Sequence, residues 1–144
     1  MDHHCPWVGR CVGFYNYKYF LNMVFYGVAA IWIMVISYTE AVADSLFNLK
    51  VGGGESFLIF LTYSLAIVLG IILTGFLLFH FWLLATGKTT LEYCEKKKKA
   101  NYDQGIGKNV KGVLGGNIFT WLLPIKPNYE GEGIEFKKKG FVEP

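Results

Sequence analysis

Charge is missing from the middle of this chain. No Asp, Glu, Lys or Arg occurs between positions 56 and 87, and between 19 and 36 the run is apolar except for Asn22. A helix crosses the hydrocarbon core with about 20 apolar residues, so both runs read as membrane spans rather than as buried helices of a soluble core. The second run is longer than a span needs, and its helix is expected to tilt or to project beyond the bilayer. Neither run resembles a cleavable signal peptide. Cysteine is scarce as well. Cys5, Cys11 and Cys94 are odd in number and include no CxxC pair, which argues against a disulfide-stapled secreted domain and against thiol redox exchange. Internal repeats are absent. The glycines at 105, 107, 112, 115 and 116 are too irregular for a phosphate-binding loop. The net charge is only +3 and sits in Lys96 to Lys99 and Lys137 to Lys139, which gives no nucleic-acid surface.

What the chain has in quantity is apolar and aromatic surface, 53% and 17% of its residues, high for a soluble domain. The expected fold is an α-helical integral membrane protein with two transmembrane helices, over 17–43 and 57–86, joined by a luminal loop over 44–56. A short Cys-rich segment, 1–16, precedes them and a small cytosolic region, 87–144, follows. The connection carries Glu40, Asp44, Lys50 and Glu55, whereas the outer flanks carry Arg10, Lys18, Lys88 and the lysine run. The positive-inside rule therefore puts both termini in the cytosol, and the Gly52-Gly53-Gly54 turn on the opposite side. A free thiolate also survives better in the cytosol.

Along the first span, Gly27, Ala29 and Ala30 make a small-residue patch among Phe20, Phe25, Tyr26 and Trp32, which allows close helix packing or leaves an apolar cavity. Gly70 and Gly75 are five apart, off the four-residue spacing of a close-contact motif. His80, near the cytosolic end of the span, could be catalytic, but a histidine beside Phe79, Phe81 and Trp82 is more often an interfacial anchor, and it is left unassigned. After the second span, Thr89 and Glu92 fit the S/T-x-x-E capping box that opens a helix. The lysine run beyond it suits an anionic leaflet, at about 1 kcal/mol per lysine. Trp121-Leu122-Leu123-Pro124 is an apolar patch suited to the membrane interface or to the spans.

The chemistry is concentrated in Met1-Asp2-His3-His4-Cys5-Pro6-Trp7-Val8-Gly9-Arg10-Cys11. A thiolate nucleophile needs a nearby base, and zinc needs sulfur and imidazole ligands. In an extended segment side chains alternate, so His3 and Cys5 share one face and His4 takes the other. His3 can then accept the Cys5 proton, while His4 and Cys11 can bind zinc from the opposite side. Asp2 would fix the His3 tautomer, but strict alternation points it away, so a turn is required there. A structural zinc site takes four ligands, of which His4 and Cys11 could supply two; Cys94 lies too far along, beyond two spans, to count as a third, so either the metal is absent or its other ligands come from sequence upstream of Met1.

Asp2-His3-His4-Cys5-Pro6-Trp7-Val8, Cys11-Val12-Gly13-Phe14 and Asn16-Tyr17-Lys18-Tyr19-Phe20 resemble the second half of the Cys-rich domain of DHHC protein S-acyltransferases. Thr89-Thr90-Leu91-Glu92 resembles that family's TTxE motif. Tyr102, Asn109 and the following Trp-Leu-Leu-Pro resemble its C-terminal motif. The likeness departs at Gly9-Arg10, where the family usually has Asn-Asn. Family members also have two spans and the first half of the Cys-rich domain before this point, so the chain is expected to be a C-terminal fragment of such an enzyme.

The resemblance implies that Cys5 carries the acyl group, that His3 is its base and that Asp2 orients His3. It implies zinc on His4 and Cys11, Thr90 hydrogen-bonded near Asp2, and Asn109 bracing the C-terminal segment. Trp7, Phe20 and Ala30 would line an acyl-chain cavity, with Ala30 near its deep end. The implied activity is palmitoyl transfer from palmitoyl-CoA or a similar long-chain acyl-CoA, through Cys5, to a cysteine of a membrane-associated protein. The lipid bilayer is the setting, in the endomembrane system (Golgi, ER or vacuole), and nucleic acid is not a partner. The rivals are a non-enzymatic, zinc-stabilised membrane adaptor, an inactive truncated fragment, and a thiol-redox protein using Cys5 and Cys11.

Overall fold

The computed structural model describes residues 1–47, 52–95, 102–129 and 133. In chain order it comprises β1 (His3–Cys5), β2 (Arg10–Val12), α1 (Tyr17–Phe47), α2 (Gly53–Thr86), α3 (Thr90–Cys94), α4 (Ile106–Leu114) and a 3-10 turn, Ile118–Thr120.

The strands form an antiparallel hairpin with His3 opposite Val12, His4 opposite Cys11 and Cys5 opposite Arg10. Its loop is closed by the Cys5 carbonyl, which accepts from the Val8 and Gly9 amides at 3.2 and 3.0 Å. Pro6 presets the backbone for a turn. Gly9 completes it at φ 66°, a left-handed conformation that Gly and Asn adopt most readily. Asn16 then ties the hairpin to the first helix. Its Oδ1 accepts from the Gly13 amide at 2.7 Å, and its Nδ2 donates to the Cys11 carbonyl at 2.9 Å.

The two long helices have 31 and 34 residues, about 46 and 51 Å at 1.5 Å per residue. Both are long and apolar enough to cross a membrane, and both exceed the roughly 30 Å hydrocarbon core. The boundaries differ from the sequence expectation. α1 runs four residues further, to Phe47, and α2 starts at Gly53, so Gly53 and Gly54 are helical rather than part of a turn. Glu55 in the first turn of α2 favours that start, because a carboxylate suits the positive end of the helix. Lys50 and residues 48–51 lie outside the described residues, as do Lys96 to Lys99 and Lys137 to Lys139. Within the helices, the Ser37, Thr39, Thr74 and Thr86 hydroxyls donate to carbonyls four residues back. That leaves little polar surface for lipid to meet.

The chain divides into two compact units, residues 23–77 and residues 1–22 with 78–144. In the first, Trp32 Nε1 donates to Thr74 Oγ1 at 3.0 Å. A Cβ placed on Gly70 would stand 3.1 Å from Ile31 and 3.3 Å from Trp32. The tight approach of the two helices is therefore at Gly70. At Gly27, in the patch singled out from sequence, a Cβ would meet Leu73 at an ordinary 3.8 Å.

In the other unit, α2 ends on Gly87. Its φ of 63° and the bonds from the Lys88 amide to Leu83 O and from the Gly87 amide to Leu84 O form a Schellman cap. Thr89 then opens α3 with a capping box: its side chain accepts from the Glu92 amide, and the Glu92 carboxylate accepts from the Thr89 amide at 2.8 Å.

Candidate active site

Asp2 is buried, 4% exposed, and its two oxygens collect three donors. Oδ1 accepts from the Thr90 amide at 2.8 Å. Oδ2 accepts from the Thr90 hydroxyl at 2.8 Å and from His3 Nδ1 at 2.6 Å. Local sequence explains the arrangement. Because Thr89 is the N-cap, Thr90 is the first helical residue, and its amide has no partner within the helix. Asp2 takes that amide. Asp2 also precedes β1, so strand alternation does not govern its side chain, and it reaches the ring of its own neighbour.

Within β1 the side chains alternate: His3 is half-buried, His4 exposed and Cys5 buried. Asp2 occupies Nδ1 of His3, which leaves Nε2 as the nitrogen available to a thiol. Among the described residues no side-chain hydrogen bond reaches the Cys5 sulfur. Around His3 lies an aromatic wall. The Phe20 ring is edge-on to it at 5.1 Å, and His80, which sequence left as an anchor, is centred 5.6 Å away. His80 is 2% exposed and hydrogen-bonded to the Tyr17 hydroxyl.

On the outer face of the hairpin, Cys11 Sγ stands 3.5 Å from His4 Nδ1. Two ligands of one tetrahedral zinc, at about 2.3 Å for sulfur and 2.0 Å for nitrogen, are about 3.5 Å apart. The pair therefore fits half of a structural zinc site. Among the described residues no group of three or more His, Cys, Asp or Glu side chains converges on one point.

Asn109, on α4, holds the C-terminal region to the end of α2. Its Nδ2 donates to the Ala85 carbonyl at 2.9 Å and to Asp103 Oδ1 at 2.7 Å, and its Oδ1 accepts from the Gln104 amide at 3.0 Å. A Cβ on Gly87 would stand 3.1 Å from Asn109, so that glycine serves both the cap and the approach.

The residues assigned to an acyl cavity differ in their exposure. Phe20 is buried against His3, Trp7 is 95% exposed on the hairpin loop, and Ala30 is exposed on α1. Trp7 sits in the four-residue loop between the two strands.

Lys18, read from sequence as a flanking charge, is fully buried instead. Its ammonium donates to the Thr120 and Ile125 carbonyls at 2.8 and 3.0 Å. One turn on, Asn22 Nδ2 donates to the Leu123 carbonyl at 3.2 Å. These two side chains strap the Trp-Leu-Leu-Pro segment to the start of α1, and their i, i+4 spacing in an otherwise apolar stretch was the available sign of it. Further along, the Tyr129 hydroxyl donates to the Tyr15 carbonyl at 3.1 Å. Burial, with Tyr19 and Tyr15 nearby, pushes the pKa of Tyr129 up, which keeps it a neutral donor.

A model of the family described as DHHC palmitoyltransferase matches residues 1–97. The chain belongs to the DHHC palmitoyltransferase family. It is 34% identical over 161 residues to palmitoyltransferase ZDHHC15 of Rattus norvegicus, covering 99% of this chain and 44% of that protein. It is also 34% identical over 149 residues to probable protein S-acyltransferase 14 of Arabidopsis thaliana, covering 96% of this chain and 48% of the relative. A further Arabidopsis relative, probable protein S-acyltransferase 15, is 33% identical, with 94% and 58% covered. The chain thus spans about half the length of the curated relatives it matches. Gly9 is reconciled with the usual family Asn by its positive φ, since either residue fits a left-handed position.

Proposed function

We propose that the protein is a protein-cysteine S-acyltransferase working at the cytosolic membrane surface, with Cys5 as the residue that carries the acyl group. The observation that supports this most directly is the 2.6 Å bond between Asp2 and His3 Nδ1, on the same short strand as a buried cysteine. A carboxylate on Nδ1 presents the lone pair of Nε2 to the thiol and stabilises the imidazolium that forms.

In the first step His3 Nε2 takes the Cys5 proton. The thiolate attacks the thioester carbonyl of palmitoyl-CoA or a similar long-chain acyl-CoA, the new C–S bond forms, and the CoA thiolate leaves with the proton returned by His3. In the second step the thiol of a membrane-associated protein substrate loses its proton to His3 and attacks the Cys5 thioester, and the Cys5 thiolate leaves. A cysteine just before a span suits both partners, because the acyl chain stays in apolar surroundings and the CoA head in water. Thr90 holds Asp2, and Asn109 holds the segment that follows the spans. Trp7, Phe20 and Ala30 are the residues we assign to the acyl chain, with Trp7 completing the lining only in contact with lipid or acyl chain. His4 and Cys11 would hold zinc as two of its four ligands, which would fasten the hairpin that carries Cys5. Both termini face the cytosol, in an endomembrane compartment.

Acyl incorporation from labelled palmitoyl-CoA tests the reading. Hydroxylamine-sensitive label should appear on the native protein and disappear in Cys5→Ser. Label that persists in that variant would sink the assignment of Cys5.

A further inference from the structure

Beside Asp2, His3 and Cys5 lies a buried polar pair that the acyl-transfer scheme leaves unused. His80 Nδ1 is 3.0 Å from the Tyr17 hydroxyl. The Phe20 ring is edge-on to both imidazoles, 5.0 Å from His80 and 5.1 Å from His3, and the two imidazoles are 5.6 Å apart. A filler at this place would not need an imidazole and a phenol, since burying polar groups costs free energy unless they are paired. Pairing them fixes the rotation of the His80 ring, which would otherwise have a broad, two-fold torsion.

Among the described residues, one hydrogen bond holds His3, at Nδ1. A ring tethered at one nitrogen can still pivot about that bond, so the direction of Nε2 depends on what flanks the ring. Phe20 and His80 are those flanks.

We propose that His80, locked by Tyr17, is a positioning residue for His3: together with Phe20 it sets the plane of the His3 ring and so aims Nε2 at the Cys5 thiol. This rests on the acyl-transfer reading above. His80 touches neither substrate nor thiol in the scheme and acts through His3 alone. Orientation of a base matters steeply, because a misplacement of about 1 Å can cost up to about a hundredfold in rate.

Tyr17→Phe deletes one oxygen, and His80→Phe keeps a ring in place, slightly larger; both remove the bond, and both are made in the protein reconstituted in lipid nanodiscs. Two rates are read: single-turnover acylation of Cys5 by palmitoyl-CoA, and alkylation of Cys5 by iodoacetamide, located by mass spectrometry. Each should fall about tenfold in either variant, while KM for palmitoyl-CoA stays within about twofold. The double variant should be no slower than the worse single one, because both remove the same bond. Native alkylation and acylation rates in Tyr17→Phe would overturn the proposal, as would losses that multiply in the double variant. Should His80→Phe not fold, Tyr17→Phe decides alone, since it deletes one oxygen. Cys5→Ser, run in parallel, separates the two ideas. Label retained there defeats the acyl-transfer reading, whereas a dead Cys5→Ser beside a fully reactive Tyr17→Phe defeats only the role of His80.

Discussion

Asp2 is the residue on which the site depends, because one buried carboxylate holds both the His3 ring and the first residue of α3. Hydrogen bonds to a charged group contribute about 1.5 to 3 kcal/mol each. Thr90→Val removes the hydroxyl donor but keeps the backbone one, so Asp2 should stay in place with its Oδ2 side loosened. The acylation rate of Cys5 should then drop roughly tenfold, about 1.4 kcal/mol of barrier, and Thr90→Ser should restore it. A Val variant as fast as the native protein would show that the hydroxyl does no more than fill space. The local part of this arrangement was legible in the sequence, because His3 and Cys5, two apart on one strand, share a face opposite His4, whereas strict alternation pointed Asp2 away from His3. The capping box at Thr89 and Glu92 located the start of α3, whereas Thr90's bond to Asp2 was anticipated only through the resemblance of Thr89-Thr90-Leu91-Glu92 to the TTxE motif. Tyr17 and His80 were not, since 63 positions separate them and a histidine among aromatics at the end of a span has the look of an anchor.

At the scale of elements, the tightest approach of α1 to α2 within residues 23–77 is at Gly70, beside the Trp32–Thr74 bond, with a second hydroxyl contact from Thr39 to Tyr63 at 3.5 Å. Thr74 Oγ1 donates to Gly70 O at 2.6 Å and accepts from Trp32 Nε1, while Gly70 leaves room for Ile31 and the Trp32 ring. The length and apolar character of both helices were plain from the missing charges. Their contact point was not, because Gly70 fits no four-residue motif and its use depends on the size of the Trp32 ring opposite. Thr74→Val should weaken the pair by about 1 kcal/mol, the scale of a polar contact between spans. Gly70→Leu should cost more, because even its Cβ would crowd two side chains. Thermal unfolding in nanodiscs can rank the two variants, and a Gly70→Leu protein as stable as the native one would contradict this packing.

For the molecule as a whole, the zinc site proposed above turns on the hairpin offering two candidate donors, with no third converging on them among the described residues. His4 and Cys11 are cross-strand partners 3.5 Å apart, close to the spacing that one tetrahedral ion imposes, yet a structural zinc site closes with four ligands. The same hairpin holds Cys5 on its inner face, so metal binding and the chemistry of the thiol are mechanically linked through one pair of short strands. With half the ligands, the enthalpy of binding no longer offsets the loss of water and of chain freedom. The 144-residue chain, purified alone, should therefore retain well under one zinc per chain after dialysis. A version as long as the relatives, of which this chain spans about half, should hold more zinc where it supplies the remaining ligands, and Cys11→Ala or His4→Ala should lower it again. Metal analysis by mass spectrometry reads this directly. One zinc or more held firmly by the 144-residue chain would mean that the hairpin finds its remaining donors within this sequence, and the half-site interpretation would have to be abandoned.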